Sequence, residues 1–224
     1  MLFHDRFAAG QVLAKHLAHY RHRSDVLVLA LPRGGVPVAF EVAKALDAPL
    51  DVFLVRKLGV PGHKELAMGA VASGGIRTLN RDVVEPLHIP QDVIDRVARQ
   101  EEIELDRQQR AYRHGRVEPV IANRILILVD DGLATGSTMR AAVAALREQH
   151  PKRIVVAVPV GAAESCAELR AEADEVVCPV CPRHFNSVGS WYEDFRQTPD
   201  ATVQSLLEHG EMPNPANGKS ALPK

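Results

Sequence analysis

Apolar residues in this chain gather into short unbroken runs instead of alternating with polar ones. Residues 26–31, 50–55, 124–129 and 153–160 read VLVLAL, LDVFLV, RILILV and RIVVAVPV, and a shorter run ends at Val176, Val177 and Cys178. Continuous apolar character over so short a span marks strands buried on both faces, as in a parallel sheet. Helical spacing fills several of the intervals, at residues 36–46, 137–149 and 162–173. Residues 5–20 add a helix with Phe7, Val12, Leu13 and Leu17 on one stripe. Strand–helix alternation of this kind predicts βαβ units and a central, mostly parallel five-stranded sheet flanked by helices, an α/β fold of Rossmann-like type.

Two segments depart from that rhythm. Residues 80–116 are long and highly charged, and within them 91–114 form a helix candidate with a thin apolar stripe at Ile94, Val97, Ile103 and Leu105. The pattern fits an inserted arm or dimer-facing helix, and equally a solvated surface helix. Residues 211–224 hold three prolines, two asparagines and a glycine, and are expected to be disordered. The expected organisation is one domain over residues 1–210, with a core at about 24–180, the insert, and the tail.

Composition narrows the function classes. Lys and Arg number 27 against 28 Asp and Glu, a net charge of −1, which argues against a general nucleic-acid or membrane-surface binder. Asp5 and Arg6 interrupt any leader-like apolar start, and no run approaches the roughly 20 residues that span a bilayer. The expectation is a soluble cytoplasmic protein. Cys166, Cys178 and Cys181 make no secreted disulfide framework. Cys178-Pro-Val-Cys181 followed by His184 has a zinc-like spacing, but no second cysteine pair completes a four-ligand site. Pro182 and a loop follow where a redox pair would open a helix, so ordinary thiols are expected.

In open α/β sheets, ligands bind beyond the carboxyl ends of the strands. Three polar segments follow the first three strand candidates: Pro32-Arg33-Gly34-Gly35, a basic Gly-rich stretch opening with Arg56-Lys57, and Asp130-Asp131-Gly132 running on to Thr138. Residues 134–138 (Ala134, Thr135, Gly136, Ser137, Thr138) open a helix, where convergent backbone N–H groups and hydroxyls suit a phosphate. Asp130 and Asp131 would repel that phosphate, and suit ribose hydroxyls, or Mg²⁺ directly or through its waters. A diol beside a phosphate means a sugar phosphate. The glycine spacing matches neither a Walker A loop nor a dinucleotide fingerprint.

The stretch ILILVDDGLATGSTM (125–139) closely resembles the phosphoribosyl pyrophosphate (PRPP) motif of type I phosphoribosyltransferases, in the form of the adenine-type branch. LPRGG (31–35) and VRK (55–57) extend the resemblance, and GSWYEDF near the end is similar to predicted bacterial members of uncertain acceptor. The resemblance implies transfer of a phosphoribosyl group from PRPP to a nitrogenous base, purine or pyrimidine, with release of pyrophosphate and dependence on Mg²⁺. It implies a role in nucleotide metabolism such as purine salvage, and a homodimer. Residues 134–138 would hold the 5-phosphate, and Asp130 and Asp131 would face the ribose and the metal. Arg33, Gly34 and Gly35 would form the pyrophosphate loop, with a cis peptide at Pro32–Arg33. Arg56 and Lys57 would contact pyrophosphate, and Asp130, Asp131, Arg33 and Lys57 would carry the catalysis.

Residues 58–66 look like a water-excluding lid, in which Glu65 is a candidate general base or simply a surface carboxylate, and His63 a surface residue. A C-terminal hood at about 180–210 would form the acceptor pocket. Phe185, Trp191, Tyr192 and Phe195 could stack on a base there, or pack the last helix onto the sheet. Ala134 stands where 6-oxopurine enzymes carry an aspartate, which disfavours a hypoxanthine or guanine acceptor. The insert could cover the site or build a dimer. An alternative is a PRPP-sensing regulator on the same fold without turnover. Retention of Arg33, Arg56, Lys57 and the Gly-rich lid favours the enzyme. A PRPP hydrolase would be favoured by a lid too short to exclude water.

Overall fold

The computed structural model describes residues 2–113 and 118–210, except for the side chains of Lys64 and Glu65. The tail at 211–224 and the end of the insert at 114–116 lie outside the described residues, as does the carboxylate of Glu65. Helix α1 (Arg6–His16) starts where the Asp5 carboxylate accepts from the Ala8 N–H at 2.8 Å, and it ends in Lys15 and His16, which suit a helix C-terminus. Strand β1 (Val26–Ala30) leads into α2 (Gly35–Leu46) and then β2 (Leu50–Val52). Next come β3 (Val55–Val60), β4 (His63–Ala72) and β5 (Ile76–Leu79), a short α3 (Arg81–Val84), and α4 (Gln91–Arg113). The second half contains β6 (Ile125–Val129), α5 (Ser137–Arg147), β7 (Arg153–Ala157), α6 (Ala163–Leu169), β8 (Glu175–Val177) and α7 (Asp200–His209).

Five strands form one sheet in the order β2-β1-β6-β7-β8, and every pairing is parallel. The unbroken apolar runs have a direct cause in this sheet. Val26, Val28 and Ala30 of β1, with Ile125, Ile127 and Val129 of β6, face a core that includes residues of α1, α2, α4 and α7. Leu27, Leu29, Leu126 and Leu128 face a second core built with α5 and α6. Both faces are dry, so no position in these strands can be polar.

The expected second strand differs in detail. Residues 50–55 do not form one strand, because the chain leaves the main sheet after Val52. From Val55 it enters a separate three-stranded antiparallel sheet, β3-β4-β5. Arg56 and Lys57 therefore sit on a strand and not in a loop. The lid segment is a β-hairpin turning at Pro61-Gly62, with its register broken at Gly59. This small sheet packs against both α4 and α5.

Helix α4 is neither a free arm nor a solvated helix. Ile94, Ala98, Leu105 and Tyr112 are buried against its own chain, while Ile103 is 72% exposed and lies off the packed face. Tyr112 donates to Asp200 at 2.9 Å, and Gln204 of α7 donates to the Ala111 carbonyl at 2.7 Å, so the helix is fastened to α7. Residues beyond β8 fold back over the N-terminus. Phe3 pairs with the segment around Tyr192, and these two with Ala9 and Val160 form a third, small core. No helix among the described residues is long and apolar enough to cross a membrane.

Candidate active site

β1 and β6 are neighbours in full register, from Val26 opposite Ile125 to Ala30 opposite Val129. The loops that follow them must therefore emerge side by side. The Leu31 N–H donates to the Val129 carbonyl at 2.9 Å, and the Pro32–Arg33 peptide bond is cis. The two loops touch so closely that a Cβ on Gly34 would lie 2.1 Å from Asp131 Oδ2, and one on Gly35 would lie 2.7 Å from the Val129 carbonyl oxygen. Glycine at 34 and 35 is thus a condition of the two loops meeting.

The second loop turns into α5 at Gly136, whose φ of +71° is left-handed and suits glycine. The first-turn N–H groups of α5 have no acceptor within the helix and carry its positive potential. Ser137 stands at that first turn, with its hydroxyl 3.3 Å from that of Thr135. Lys57 reaches across from β3 and donates to Ser137 Oγ at 3.1 Å. Thr138 and Lys57 also line a cavity of about 590 Å³ between the hairpin and α4, which Arg96 and Glu101 close from the helix side. Ala134 and Thr135 are exposed at the mouth of the loop.

The acidic pair directly follows β6, at the start of the loop that ends in α5. Asp130 Oδ1 accepts from the Asp131 N–H at 2.8 Å. Burial and then the Asp131 charge push the Asp130 carboxyl well above its ordinary range. Burial raises Asp131 as well, but Arg6 opposes the rise. Arg6 Nε donates to Asp131 Oδ2 at 2.8 Å, its Nη1 donates to the Arg196 carbonyl at 2.8 Å, and its guanidinium sits 4.0 Å above the centre of the Phe195 ring. No local feature of the sequence marks Arg6 as part of the site. It is the first residue of α1, 125 residues from its partner.

The remaining expected site residues divide. Lys57 meets Ser137 in the loop 134–138, and Gly34 and Gly35 lie against Asp131 and Asp130 at the start of the same loop. Arg56 lines the same cavity as Lys57 and Thr138, with its guanidinium bonded to Glu101 of α4 at 2.5 Å. Arg33 faces Asp200 of α7 at 3.6 Å. Among the hood aromatics, Tyr192 is buried, 5.5 Å from the Phe3 ring, and donates its hydroxyl to the Asp131 carbonyl. Phe185 and Trp191 pack against the same small core, and the Trp191 indole N–H is buried without an acceptor among the described residues. Tyr192 therefore braces the acidic loop and offers no free face to a base. Phe195 is the most exposed of the four. A second cavity, of about 520 Å³, opens beside it between α1, α2 and the chain leading to α7, with Arg6, Phe7, Pro37 and Asp194 in its wall.

Comparison with known proteins bears on the family and the fold. A family described as phosphoribosyl transferase domain matches residues 5–195. A Mycobacterium tuberculosis protein with the provisional name of phosphoribosyl transferase is 48% identical over 207 residues, covering 92% of this chain. The chain spans 46% of that relative, about half its length. The crystal structure of a Thermus thermophilus protein is 41% identical and superposes with a TM-score of 0.86, covering 93% of this chain and 99% of its own.

Proposed function

The chain belongs to the phosphoribosyl transferase domain family, and on that premise we propose that it transfers the phosphoribosyl group of PRPP to a nitrogenous base and releases pyrophosphate. The observation that carries this reading is the contact between Lys57 Nζ and Ser137 Oγ at the N-terminus of α5. It sets a cation and a helix N-terminus at one point, in a loop that begins with an acidic pair, as a ligand with phosphates at one end and a diol at the other requires.

In this reading the loop 134–138 binds the 5-phosphate through backbone N–H groups and the hydroxyls of Thr135, Ser137 and Thr138. Asp130 and Asp131 orient the ribose hydroxyls. Gly34 and Gly35 let the first loop approach the leaving group, and Arg33 and Lys57 meet the negative charge that grows on it. Such preorganised donors act most strongly where charge develops. The hairpin, with α4 behind it, keeps water from competing with the base. The base itself would enter beside Phe195, where the second cavity adjoins Arg6.

The donor set fits Mg²⁺. Asp130 presents a hard oxygen ligand, and burial disfavours its ionised form until a cation stands beside it. When bound, Mg²⁺ would neutralise charge on the departing pyrophosphate. Asp130 would hold it, directly or through water, while Arg6 opposes the rise that burial gives the Asp131 carboxyl. A homodimer and a cytoplasmic setting are part of the same proposal.

A second reading, PRPP binding without turnover, draws on the pairing of Arg56 with Glu101 and of Arg33 with Asp200. These pairs leave Lys57 as the cation already turned toward the cradle. The test is release of pyrophosphate from Mg²⁺ and PRPP against a panel of purine and pyrimidine bases. Release that needs one particular base supports transfer, and binding without release under any base supports the sensor.

A further inference from the structure

The chain contains three cysteines, and all three meet. Cys166 lies on α6, Cys178 directly follows β8, and Cys181 stands three residues further on. Their Sγ atoms lie within 4.8 Å of one another. Spacing alone shows only the Cys178–Cys181 pair, because the third sulfur arrives from a different element. Cys166 is buried, Cys178 half-buried and Cys181 exposed, so the triangle has an inner side and an open side. Gly161 closes the inner side, where a Cβ would sit 2.9 Å from Cys166 Sγ and 3.3 Å from Cys178 Sγ.

We propose that Cys166, Cys178 and Cys181 form a thiolate site for a soft divalent cation, zinc above all, with an exchangeable ligand in the fourth position. Among the described residues the cluster includes no carboxylate or imidazole. An all-sulfur set selects zinc over hard cations such as Mg²⁺. Zinc–sulfur bonds of about 2.3 Å at tetrahedral angles separate the sulfurs by about 3.8 Å, so the triangle need close by about 1 Å at most. Each thiol gives its proton to solvent as its sulfur binds the metal. Three thiolates on one Zn²⁺ leave a net negative charge.

The position of the cluster gives the site its consequence. Ser165, next to Cys166, donates its hydroxyl to the Ala134 carbonyl at 2.5 Å. The Ala162 N–H donates to the Leu133 carbonyl at 2.8 Å, and the Leu133 N–H to the Val160 carbonyl at 2.9 Å. The metal would therefore tie α6 to the segment after β8 and fix the rear wall of the loop 132–138.

The test uses the full chain, reduced and freed of metal with a chelator, and titrated with Co²⁺ and then Zn²⁺. The expected result is one Co²⁺ per chain with a near-ultraviolet thiolate charge-transfer band and tetrahedral visible bands, bleached by Zn²⁺. Cys181 is exposed, so Cys181→Ser should fold normally and weaken Zn²⁺ binding by more than the about 10–100-fold that losing an outer-shell partner brings. Absence of the charge-transfer band, unchanged Zn²⁺ affinity in Cys181→Ser, or a disulfide between two of these cysteines in the freshly purified protein would each overturn the proposal. None of these readouts depends on PRPP or on turnover.

Discussion

Arg6 and Asp131 stand 125 residues apart in the chain, and their side chains meet at 2.8 Å. Only 10% and 14% of these side chains is exposed, so each charge depends on the other. The pair joins the first helix to the acidic loop, and the Phe195 ring under the guanidinium extends the link to the C-terminal segment. N-terminus, sheet edge and hood thereby converge on one carboxylate.

Replacing Arg6 by alanine should destabilise the protein by about 3–5 kcal/mol, because it leaves Asp131 buried and unpaired. The sign with pH follows from Asp131, whose carboxyl burial already raises and Arg6 holds down. Without Arg6 it rises further. The loss is then full where Asp131 is ionised and shrinks as pH falls and the carboxyl protonates. Urea unfolding at about pH 8 and about pH 5 should give the larger difference at the higher pH. An equal loss at both would assign the effect to packing.

Asp130→Asn separates stability from function. The folded-state Asp130 carboxyl titrates above its unfolded value, so the folded form binds its proton more tightly. Its contribution is therefore favourable at low pH and is lost as pH rises through the raised value. Asparagine cannot ionise and should be more stable by about 0.5–2 kcal/mol near neutral pH, while binding of PRPP with Mg²⁺ collapses. In the unmodified protein that binding should weaken as pH falls through the same raised value. Thermal melts and calorimetry across pH read both trends.

Lys57→Ala should lower kcat/KM for pyrophosphate release by about 10²–10³-fold, the range seen on removing one preorganised donor. Its unfolding free energy should stay within about 0.5 kcal/mol of the parent. Arg56→Ala, which loses a contact to Glu101 rather than to the cradle, should cost less activity. The reverse ranking would show that Arg56 swings into the site when ligand binds.

Gly34→Ala and Gly35→Ala should fail differently. A Cβ at 34 meets the Asp131 carboxylate and approaches Arg6 Nε, side-chain atoms that can shift only by loosening their own pair, so the protein should fold with reduced stability and lose PRPP affinity. A Cβ at 35 meets the Val129 carbonyl and the Asp130 Cα, which are backbone and cannot yield, so stability should fall by about 1–3 kcal/mol or more. Denaturation curves paired with PRPP titrations distinguish the two.

The parallel sheet and its phosphate loop are legible in the sequence for a physical reason. Strands dry on both faces must be apolar throughout, and a phosphate turn needs small residues before a helix. The antiparallel sheet is not legible, because β4 reads HKELAMGAVA, where small and charged residues blur any alternation. The 50–55 run reads as one strand because Phe53 and Leu54 stay buried while the chain passes between sheets. Arg6 and Cys166 escape notice for another reason. Their partners are distant in sequence, and no local pattern encodes a contact that only tertiary folding makes.

The central claim is that PRPP binds at the loop 130–138, with the acidic pair holding its ribose. Calorimetric titration of PRPP with Mg²⁺ into the unmodified protein and into the Asp130→Asn, Asp131→Asn double variant tests it most directly. The expected result is saturable one-site binding that the double variant loses while remaining folded. PRPP affinity unchanged in the double variant would contradict the account.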